Sequence, residues 1–394
     1  MIKKWLDKLD IHLLFIIFLL AIMSCMTLTA AYELNFTNEN YTYKQVAFYI
    51  ISIVLFFILT IIDLDMIKYF SSYIYFICLL LLVGIIFLTG SISKELNGAL
   101  GWYIIGPVSI QPAELMKFGF IIILAKILDN HKYKKNNLGN ELFLICKMVL
   151  CLLPIMITLF FYPDLGNMLT HLSIFICMVF VSNIRFRTIF TFILSIPMTL
   201  GATFVYIYFR YESFFFNHIL GLLPDHVASR FYGWLKPEEY PQSAHQMIQS
   251  ITHIGAGNIN GYKFAKDYNP EIPLAYSDMI FSVIGSVFGF IGSAFLIMLF
   301  LLLIYKVVTI SLSYHENYGK YLGAGITGYI LFQVFQNIGM SVGILPITGV
   351  ALPFISYGGS ALITAMVTLG LVMNMKVNGR QYMFRNESAL DGFE

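Results

Sequence analysis

The sequence has 394 residues, of which 58% are hydrophobic and only 12% are charged, and its formal net charge is +2. Soluble domains have about a quarter of their residues charged, so an ordinary soluble enzyme is excluded. The small net charge gives no indication of nucleic acid as a partner. The five cysteines form no CxxC motif, which argues against a disulfide framework and against a zinc site.

Long apolar stretches recur along the chain and predict an all-α polytopic membrane protein. The stretches are continuous rather than alternating, so each must satisfy its backbone hydrogen bonds as a helix and not as a barrel strand. No soluble domain is visible at either end, and residues 1–394 are predicted to form a single membrane domain. We predict about ten transmembrane helices: Ile11–Tyr32, Val46–Ile62, Tyr73–Thr89, Ala113–Leu128, Phe143–Phe161, Met168–Val181, Ile189–Phe209, Met279–Tyr305, Tyr321–Ser341 and Ala361–Met375.

The distribution of Lys and Arg predicts the orientation, because these residues accumulate on the cytoplasmic side of short loops. Lys3 and Lys4 precede the first predicted span, a lysine cluster at 132–135 follows the fourth, and Arg380 and Arg385 follow the last. Both termini are therefore predicted to be cytoplasmic. Residues 210–277, between the seventh and eighth spans, then form a large extracytoplasmic loop, whose aromatic residues and prolines favour an ordered structure.

The segments rich in Gly, Pro and polar residues all fall on the predicted outer face. They are 101–114, 163–167, the loop 210–277 and 343–360. Non-helical backbone near a membrane is tolerated only where protein or water satisfies its polar groups. The sequence therefore predicts a shared polar cavity on the extracytoplasmic side.

Charged residues next to these segments are candidates for the chemistry. Glu114 and Lys117 are three residues apart at the start of the fourth span and share a helix face, either as a structural ion pair or as a cationic wall for an anionic group. Asp164 follows Pro163 in a turn and is either the N-cap of the next helix or a contact for a metal or a sugar.

Asp278 is the sharpest candidate, because it stands at the membrane boundary where the eighth span begins. It is either a helix cap or a general base. In the second case, partial desolvation of the carboxylate keeps its pKa high enough for it to accept a proton. Further along the same span, Gly285, Gly289 and Ser293 form a stripe of small residues. Such a stripe permits close approach of another helix, either within the protein or from a partner.

The motifs of this chain resemble those of the bacterial SEDS family, which comprises the RodA, FtsW and SpoVE proteins. The family's GP...QPSE..K signature is matched by Gly106, Pro107, Gln111, Pro112, Glu114 and Lys117, and its PDLG turn by residues 163–166. The order of residues in its loop is matched by Arg230, Trp234, Pro237, Gln246 and Gln249. Its TDFIFA segment resembles residues 277–282, and its long C-terminal motif resembles residues 337–360, including Ser356. Met340 makes the chain more similar to RodA than to FtsW.

This resemblance implies a peptidoglycan glycosyltransferase that polymerises lipid II, an undecaprenyl-pyrophosphate-linked disaccharide, into glycan strands for cell elongation and shape. It implies a multi-pass protein of the bacterial cytoplasmic membrane, in contact with membrane lipids, with its active site outside and a class B penicillin-binding protein as partner. Asp278 is implied to be the catalytic base of an inverting reaction. The implied substrate-binding residues are Lys117, Glu114, Asp164, Arg230, Gln111, Gln246, Gln249 and Ser356.

The pyrophosphate leaving group needs positive charge. Lys117, Arg230 or a divalent cation such as Mg²⁺ or Mn²⁺ near Asp164 or Asp278 would provide it, and the sequence leaves these alternatives open. Three positions near Asp278 depart from the family pattern, where Leu274, Tyr276 and Ser286 replace glutamate, histidine and an acidic residue. We expect weaker metal binding in consequence, with Tyr276 donating the hydrogen bond that orients Asp278; Asp267 or Glu271 would be the replacement carboxylates.

Two other functions remain open from the sequence. One is a flippase or transporter for a lipid-linked cell-wall precursor, and the other is a non-catalytic scaffold for a penicillin-binding protein. A flippase must open its site to both faces and is expected to carry charge along the bundle interior. The polar segments of this chain favour one face, which supports the enzyme.

Overall fold

The structure is a computed structural model that describes residues 7–88, 93–96, 99–105, 108–131, 137–261 and 272–379. Within these residues the protein is a bundle of helices with one small sheet. The long helices of the bundle are α1 (Ile11–Glu33), α2 (Thr42–Ile61), α3 (Leu64–Phe87), α4 (Pro112–Asp129), α5 (Leu138–Phe161), α6 (Leu165–Val181), α7 (Phe186–Arg210), α10 (Ile280–Ser313), α11 (Asn317–Ser341) and α12 (Gly359–Asn378). Two shorter helices, α8 (Asp225–Leu235) and α9 (Pro241–Ala256), lie in the predicted loop.

The predicted all-α polytopic architecture is confirmed. Seven helices of the described chain are long and apolar enough to cross a membrane: α1, α2, α3, α5, α7, α10 and α12. The other three predicted spans coincide with α4, α6 and α11, which are shorter or carry more polar side chains, such as Lys117 in α4 and Gln333 in α11. The count of ten spans stays a prediction.

Helix α4 is the centre of the bundle and packs against α3, α5, α6, α11 and α12. Met116, Phe120 and Leu124 on this helix are completely buried. The outer helices bury only one side and expose apolar residues such as Phe18 and Leu80 on the other, as expected for surfaces that face lipid. Glu114 and Lys117, near the start of α4, are therefore placed in the interior of the protein.

A three-stranded antiparallel sheet, which the sequence analysis did not predict, precedes α4. Its strands are β1 (Ser93–Leu96), β2 (Ala99–Ile105) and β3 (Val108–Ile110), in the order β1-β2-β3. The Tyr103 hydroxyl donates a hydrogen bond to the Leu81 carbonyl at 2.9 Å and attaches the sheet to α3. The sheet ends directly before Gln111, so it sets where α4 begins.

The long loop is ordered over its described residues, 211–261 and 272–277. Short helical turns over residues 212–222 bury Phe215, Phe216 and Leu220 in a separate apolar cluster beside α8. The indole Nε1 of Trp234 donates to the Gly343 carbonyl at 3.0 Å. This bond fastens α8 to the segment between α11 and α12.

The predicted small-residue stripe on α10 is not a continuous helix face, because Gly289 has a φ of 61° and interrupts the helix. The amides that follow it leave the helical pattern: Phe290 N–H donates to the Asn258 carbonyl at 2.9 Å and Ile291 N–H to the Ile259 carbonyl at 3.2 Å. A Cβ atom on Gly289 would lie 2.3 Å from the Gly261 nitrogen. Gly285 and Gly289 therefore pack inside the protein, against Ile254 of α9 and against the turn after α9.

Candidate functional site

Asp278 lies just before α10, and its backbone is held by a side chain of α11. Asn337 Nδ2 donates to the Asp278 carbonyl at 2.8 Å and to the Val350 carbonyl at 2.7 Å. One amide of α11 thus joins the two segments. Because Asn337 is completely buried, this position of Asp278 is set by the core.

The neighbouring residues are held in the same way. Ser356 Oγ donates to the Ser277 carbonyl at 2.7 Å and accepts from the Leu352 amide at 2.7 Å. The Tyr357 amide donates to the Tyr276 carbonyl at 2.9 Å. Ser356, predicted to bind substrate, is buried in this network, so the structure places its hydroxyl where it positions the chain next to Asp278; a direct contact with substrate stays a prediction.

Gly349 brings Arg230 and Asp278 together. This glycine has a φ of 74°, and a Cβ atom built on it would lie 3.4 Å from Asp278 Oδ2 and 4.0 Å from Arg230 Nη1. Arg230 is supplied by α8 and Asp278 by the segment before α10. Arg230 and Asp278, which are distant in the sequence, thus lie on either side of a glycine that has no side chain.

Burial raises the pKa of Asp278 to about 6, although Arg230 acts to lower it. The charge of Asp164 raises it further, and a hydrogen bond from the Ser277 side chain lowers it. A carboxylate with a pKa near 6 is largely ionised at neutral pH and is still basic enough to accept a proton. The environment of Asp278 therefore suits a general base.

Two residues near the site adopt left-handed backbone conformations although they are not glycine. Leu274 has a φ of 57° and Phe354 a φ of 66°. The Leu274 carbonyl accepts from the amides of Ser277 at 3.0 Å and Met279 at 3.2 Å, and the Phe354 carbonyl accepts from the Tyr49 hydroxyl at 2.6 Å. Such conformations cost about 1 kcal/mol or more; one forms the turn before Asp278, and the other lies in the segment between α11 and α12.

Asp164 is the N-cap of α6. Its carboxylate accepts from the Asn167 amide at 3.0 Å, from Asn167 Nδ2 at 2.7 Å and from Gln111 Nε2 at 3.4 Å. The capping role considered in the sequence analysis is confirmed. The turn also packs against the Gly349 segment, since a Cβ atom on Gly166 would lie 2.8 Å from the Thr348 carbonyl oxygen. Gln111 and Asp164 therefore belong to the same region as Asp278.

Glu114 and Lys117 form a buried ion pair with 2.5 Å between Glu114 Oε1 and Lys117 Nζ. The Lys117 side chain is completely buried, and its ammonium lies 5.3 Å from the centre of the Tyr329 ring. The ion-pair alternative is thus realised. A buried ammonium group affects the site by long-range electrostatics rather than by direct contact with a ligand. The role of Lys117 in binding pyrophosphate stays a prediction.

The two glutamines of α9 differ in what they contact. Gln246 Nε2 donates to the Pro273 carbonyl at 3.2 Å and so reaches the segment that carries Asp278. Gln249 is half-buried on the same helix, and its substrate role remains a prediction. The next residue, Ser250, was not considered in the sequence analysis; its Oγ donates to the Ser341 carbonyl at 2.6 Å and attaches α9 to α11.

The expected hydrogen bond from Tyr276 to Asp278 is wrong. Tyr276 stacks on Tyr41, with 4.4 Å between ring centres. Tyr357 lies against the same ring at 4.4 Å. The side chain that does act on Asp278 is its neighbour Ser277, which lowers the pKa of the carboxyl. Its alignment with the threonine of the family motif could have indicated this.

A divalent cation would find few protein ligands in the described part of the site. No group of three or more His, Cys, Asp and Glu side chains is present among the described residues. Both Asp164 oxygens already accept hydrogen bonds, so Asp278 is the residue of the site that would hold such an ion. Gly106, Pro107, Asp267 and Glu271, which the sequence analysis singled out, lie outside the described residues.

Fold and site together define a polytopic helical membrane protein in which a carboxylate, an arginine and a glycine-containing loop meet at one end of the bundle. The family model described as "Cell cycle protein", for FtsW, RodA and SpoVE, matches residues 5–381. The chain belongs to this family.

Several curated relatives are similar over most of their length. A probable peptidoglycan glycosyltransferase FtsW of Wigglesworthia glossinidia brevipalpis is 29% identical over 93% of this chain and 92% of its own. The stage V sporulation protein E of Bacillus subtilis is 28% identical over 92% and 94%. The peptidoglycan glycosyltransferase MrdB of Escherichia coli is 31% identical over 77% of both chains.

Solved structures have the same fold. A chain from a peptidoglycan synthase complex, described for its coordination of polymerization and crosslinking, has a TM-score of 0.74 and 25% identity over 95% of this chain and 99% of its own. The rod shape determining protein RodA of Thermus thermophilus has a TM-score of 0.66 and 24% identity over 95% and 98%.

Proposed function

We propose that the protein is a peptidoglycan glycosyltransferase that polymerises lipid II into glycan strands, in the manner of its RodA and FtsW relatives. Family membership supports the reaction class, since several of the similar proteins are named peptidoglycan glycosyltransferase. The observation that carries the proposal is the meeting of Asp278 and Arg230 at Gly349. This arrangement supplies a base and a cation to one small space.

In the proposed reaction Asp278 removes the proton from the 4-hydroxyl of the acceptor sugar as this oxygen attacks the anomeric carbon of the donor. The bond from the anomeric carbon to the pyrophosphate oxygen breaks, and the configuration at the carbon is inverted. The proton resides on the Asp278 carboxylate and is then released to water. A positioned carboxylate contributes about 10²- to 10⁴-fold to such a step.

The leaving pyrophosphate gains negative charge and requires stabilisation. Arg230 is the described cation nearest to Asp278, and its planar guanidinium suits phosphate oxygens. The proposed substrate contacts of the remaining polar residues follow from their places around Asp278: Gln111, Glu114, Lys117, Asp164, Gln246, Gln249 and Ser356. If a Mg²⁺ or Mn²⁺ ion takes part, Asp278 would hold it, and the ion would supply further positive charge for the leaving group.

We place the protein in the bacterial cytoplasmic membrane as one domain spanning residues 1–394, with both termini in the cytoplasm and Asp278 on the outer face. Apolar side chains on the outside of the bundle, such as Phe18 and Leu80, match contact with lipid. The polyprenyl tail of lipid II remains in the bilayer while its sugars reach the polar end of the bundle. Asp164, Asp278 and Arg230 all lie at that end.

The proposed partner is a class B penicillin-binding protein. The similar chain from a peptidoglycan synthase complex works where polymerization and crosslinking are coordinated, and crosslinking is the reaction of a transpeptidase. A glycan strand made by this protein would need a transpeptidase to be crosslinked. Copurification with the candidate transpeptidase tests the pairing directly.

Polymerisation of labelled lipid II by the purified protein in detergent tests the enzyme against its two alternatives. Detergent abolishes sidedness, so a flippase or a scaffold leaves lipid II unchanged while the enzyme lengthens it. Asp278→Asn is expected to keep the fold and lose at least about 100-fold in rate, because the amide cannot accept the proton. Glu238→Gln, an exposed carboxylate in the same loop, is the control and should retain activity. Asp278→Asn activity within a few fold of wild type would refute the base assignment.

A further inference from the structure

A cavity lined by both polar and apolar side chains lies at the opposite end of α4 from Asp278 and plays no part in the proposed reaction. It has a volume of about 390 Å³ and is lined mainly by Ser72, Lys126, Asn130, Asn140, Phe143 and Lys147. Helix α4 forms its floor, and α3 and α5 form its walls. Lys126 follows Glu114 by twelve residues, so the two lie about 18 Å apart along the helix axis.

The two lysines of this cavity have no carboxylate partner among the residues that the structure describes. Lys126 Nζ donates to Ser72 Oγ at 3.1 Å and to the Tyr69 carbonyl at 3.2 Å, which leaves one of its three donors available. Lys147 Nζ lies 4.3 Å from the centre of the Phe143 ring. Both ammonium groups are thus held by neutral groups.

The acidic residues nearest in sequence to these two lysines pair with other residues. Asp129 pairs with Lys68. Glu141 accepts from Arg185 Nε at 2.8 Å and from Thr188 Oγ1 at 2.5 Å. The cavity therefore holds two positive charges that these acidic residues do not neutralise. An excess of positive charge is what a binding site for an anion requires.

The walls continue into surfaces that suit hydrocarbon chains. Phe76 follows Ser72 by one helical turn on α3, and Leu150 follows Lys147 by three residues on α5, so each lies on the same helix face as its polar neighbour. Both are 60% exposed. A molecule with an anionic head at the lysines would thus have apolar side chains below it, towards the middle of the bundle.

We propose that this cavity binds the phosphate headgroup of an anionic phospholipid, such as phosphatidylglycerol, with its acyl chains against Phe76 and Leu150. Basic pockets between transmembrane helices bind anionic headgroups in this way, and each lysine near a membrane surface contributes about 1 kcal/mol. The bound lipid joins α3, α4 and α5 at the end of the bundle opposite the Asp278 site. The proposal is independent of the reaction at Asp278.

The test measures lipid binding to the purified protein by native mass spectrometry and by thermal unfolding in detergent, with dioleoyl phosphatidylglycerol, dioleoyl phosphatidylcholine or glycerol phosphate added. We expect phosphatidylglycerol to bind and raise Tm more than phosphatidylcholine does, and raised salt to weaken this preference. Lys147→Gln should weaken phosphatidylglycerol binding about fivefold, and Lys126→Gln/Lys147→Gln should abolish the preference. Lys320→Gln is the control, since this half-buried lysine lies on α11 and donates to Asn317, outside the lining of the cavity.

Lys147 is exposed, so its substitution is expected to keep the fold. If the double variant unfolds, the single variant Lys147→Gln still shows whether binding is lost without a loss of stability. Equal binding of the two lipids by the wild-type protein would overturn the proposal, as would an unchanged preference in Lys147→Gln. Binding of glycerol phosphate as tight as that of phosphatidylglycerol would overturn the lipid assignment, because the acyl chains would then contribute nothing.

Discussion

Gly349 faces Asp278 directly: a Cβ atom on the glycine would lie 3.4 Å from Oδ2 of the aspartate. The position therefore combines a left-handed backbone with close approach to the proposed base. It leaves the space beside the carboxylate for a substrate hydroxyl.

Gly349→Ala should lower the polymerisation rate by tenfold or more. An alanine at a φ of 74° is strained by about 1 kcal/mol, and its methyl group would occupy the space between Asp278 and Arg230. The matched control is Gly358→Ala in the same segment, where the added Cβ would meet its nearest neighbour at 3.7 Å. Equal activity of the two variants, measured with labelled lipid II, would contradict a role for the open space at Gly349.

The rate should depend on pH through Asp278. With a pKa of about 6, the carboxylate is ionised above this pH and protonated below it, so the rate should fall about tenfold per pH unit below the midpoint. Ser277→Ala removes a hydrogen bond that favours the charged form, so the pKa rises and the midpoint should move to higher pH. Ser277→Thr keeps the hydroxyl and should leave the midpoint unchanged. A midpoint that does not move in Ser277→Ala would show that Ser277 does not tune the base.

Lys117→Met should reduce both the yield of folded protein and the rate. It leaves the buried carboxylate of Glu114 without its partner, and breaking a buried pair costs about 3–5 kcal/mol. Glu114→Gln/Lys117→Met removes both charges and should restore thermal stability. If this double variant also recovers full activity, the pair serves only the fold; if it is stable and slow, the Lys117 charge assists the pyrophosphate.

Gly289→Ala should destabilise the isolated protein rather than weaken a complex. The added Cβ would lie 2.3 Å from the Gly261 nitrogen and 2.7 Å from the Ile259 carbonyl oxygen, so the two segments must move apart. Thermal unfolding of the purified chain measures this loss. Gly201→Ala on α7, where nothing lies within 4 Å of the added atom, is the control. Normal stability of Gly289→Ala with reduced copurification of a transpeptidase would instead indicate an external contact.

Sequence by itself determined the architecture and several local roles. Continuous apolar stretches define helices in lipid because the backbone must satisfy its hydrogen bonds within each segment, and this requirement is local. The spacing of Glu114 and Lys117 was sufficient to predict their pairing for the same reason. Asp164 as a cap likewise depends only on the helix that follows it.

Tertiary structure alone decided how the site is built. Tyr276 and Ser277 are adjacent in the chain, yet Tyr276 stacks on Tyr41, whereas Ser277 lowers the pKa of Asp278. In the sequence, Gly289 belongs to a regular helix face. In the structure, the carbonyls of Asn258 and Ile259 accept hydrogen bonds from the two amides that follow Gly289. Arg230, Asp278 and Gly349 meet only because buried contacts such as that of Asn337 with Asp278 join distant segments. Hydropathy and spacing record which residues share a helix, whereas these contacts depend on how separate helices pack in space.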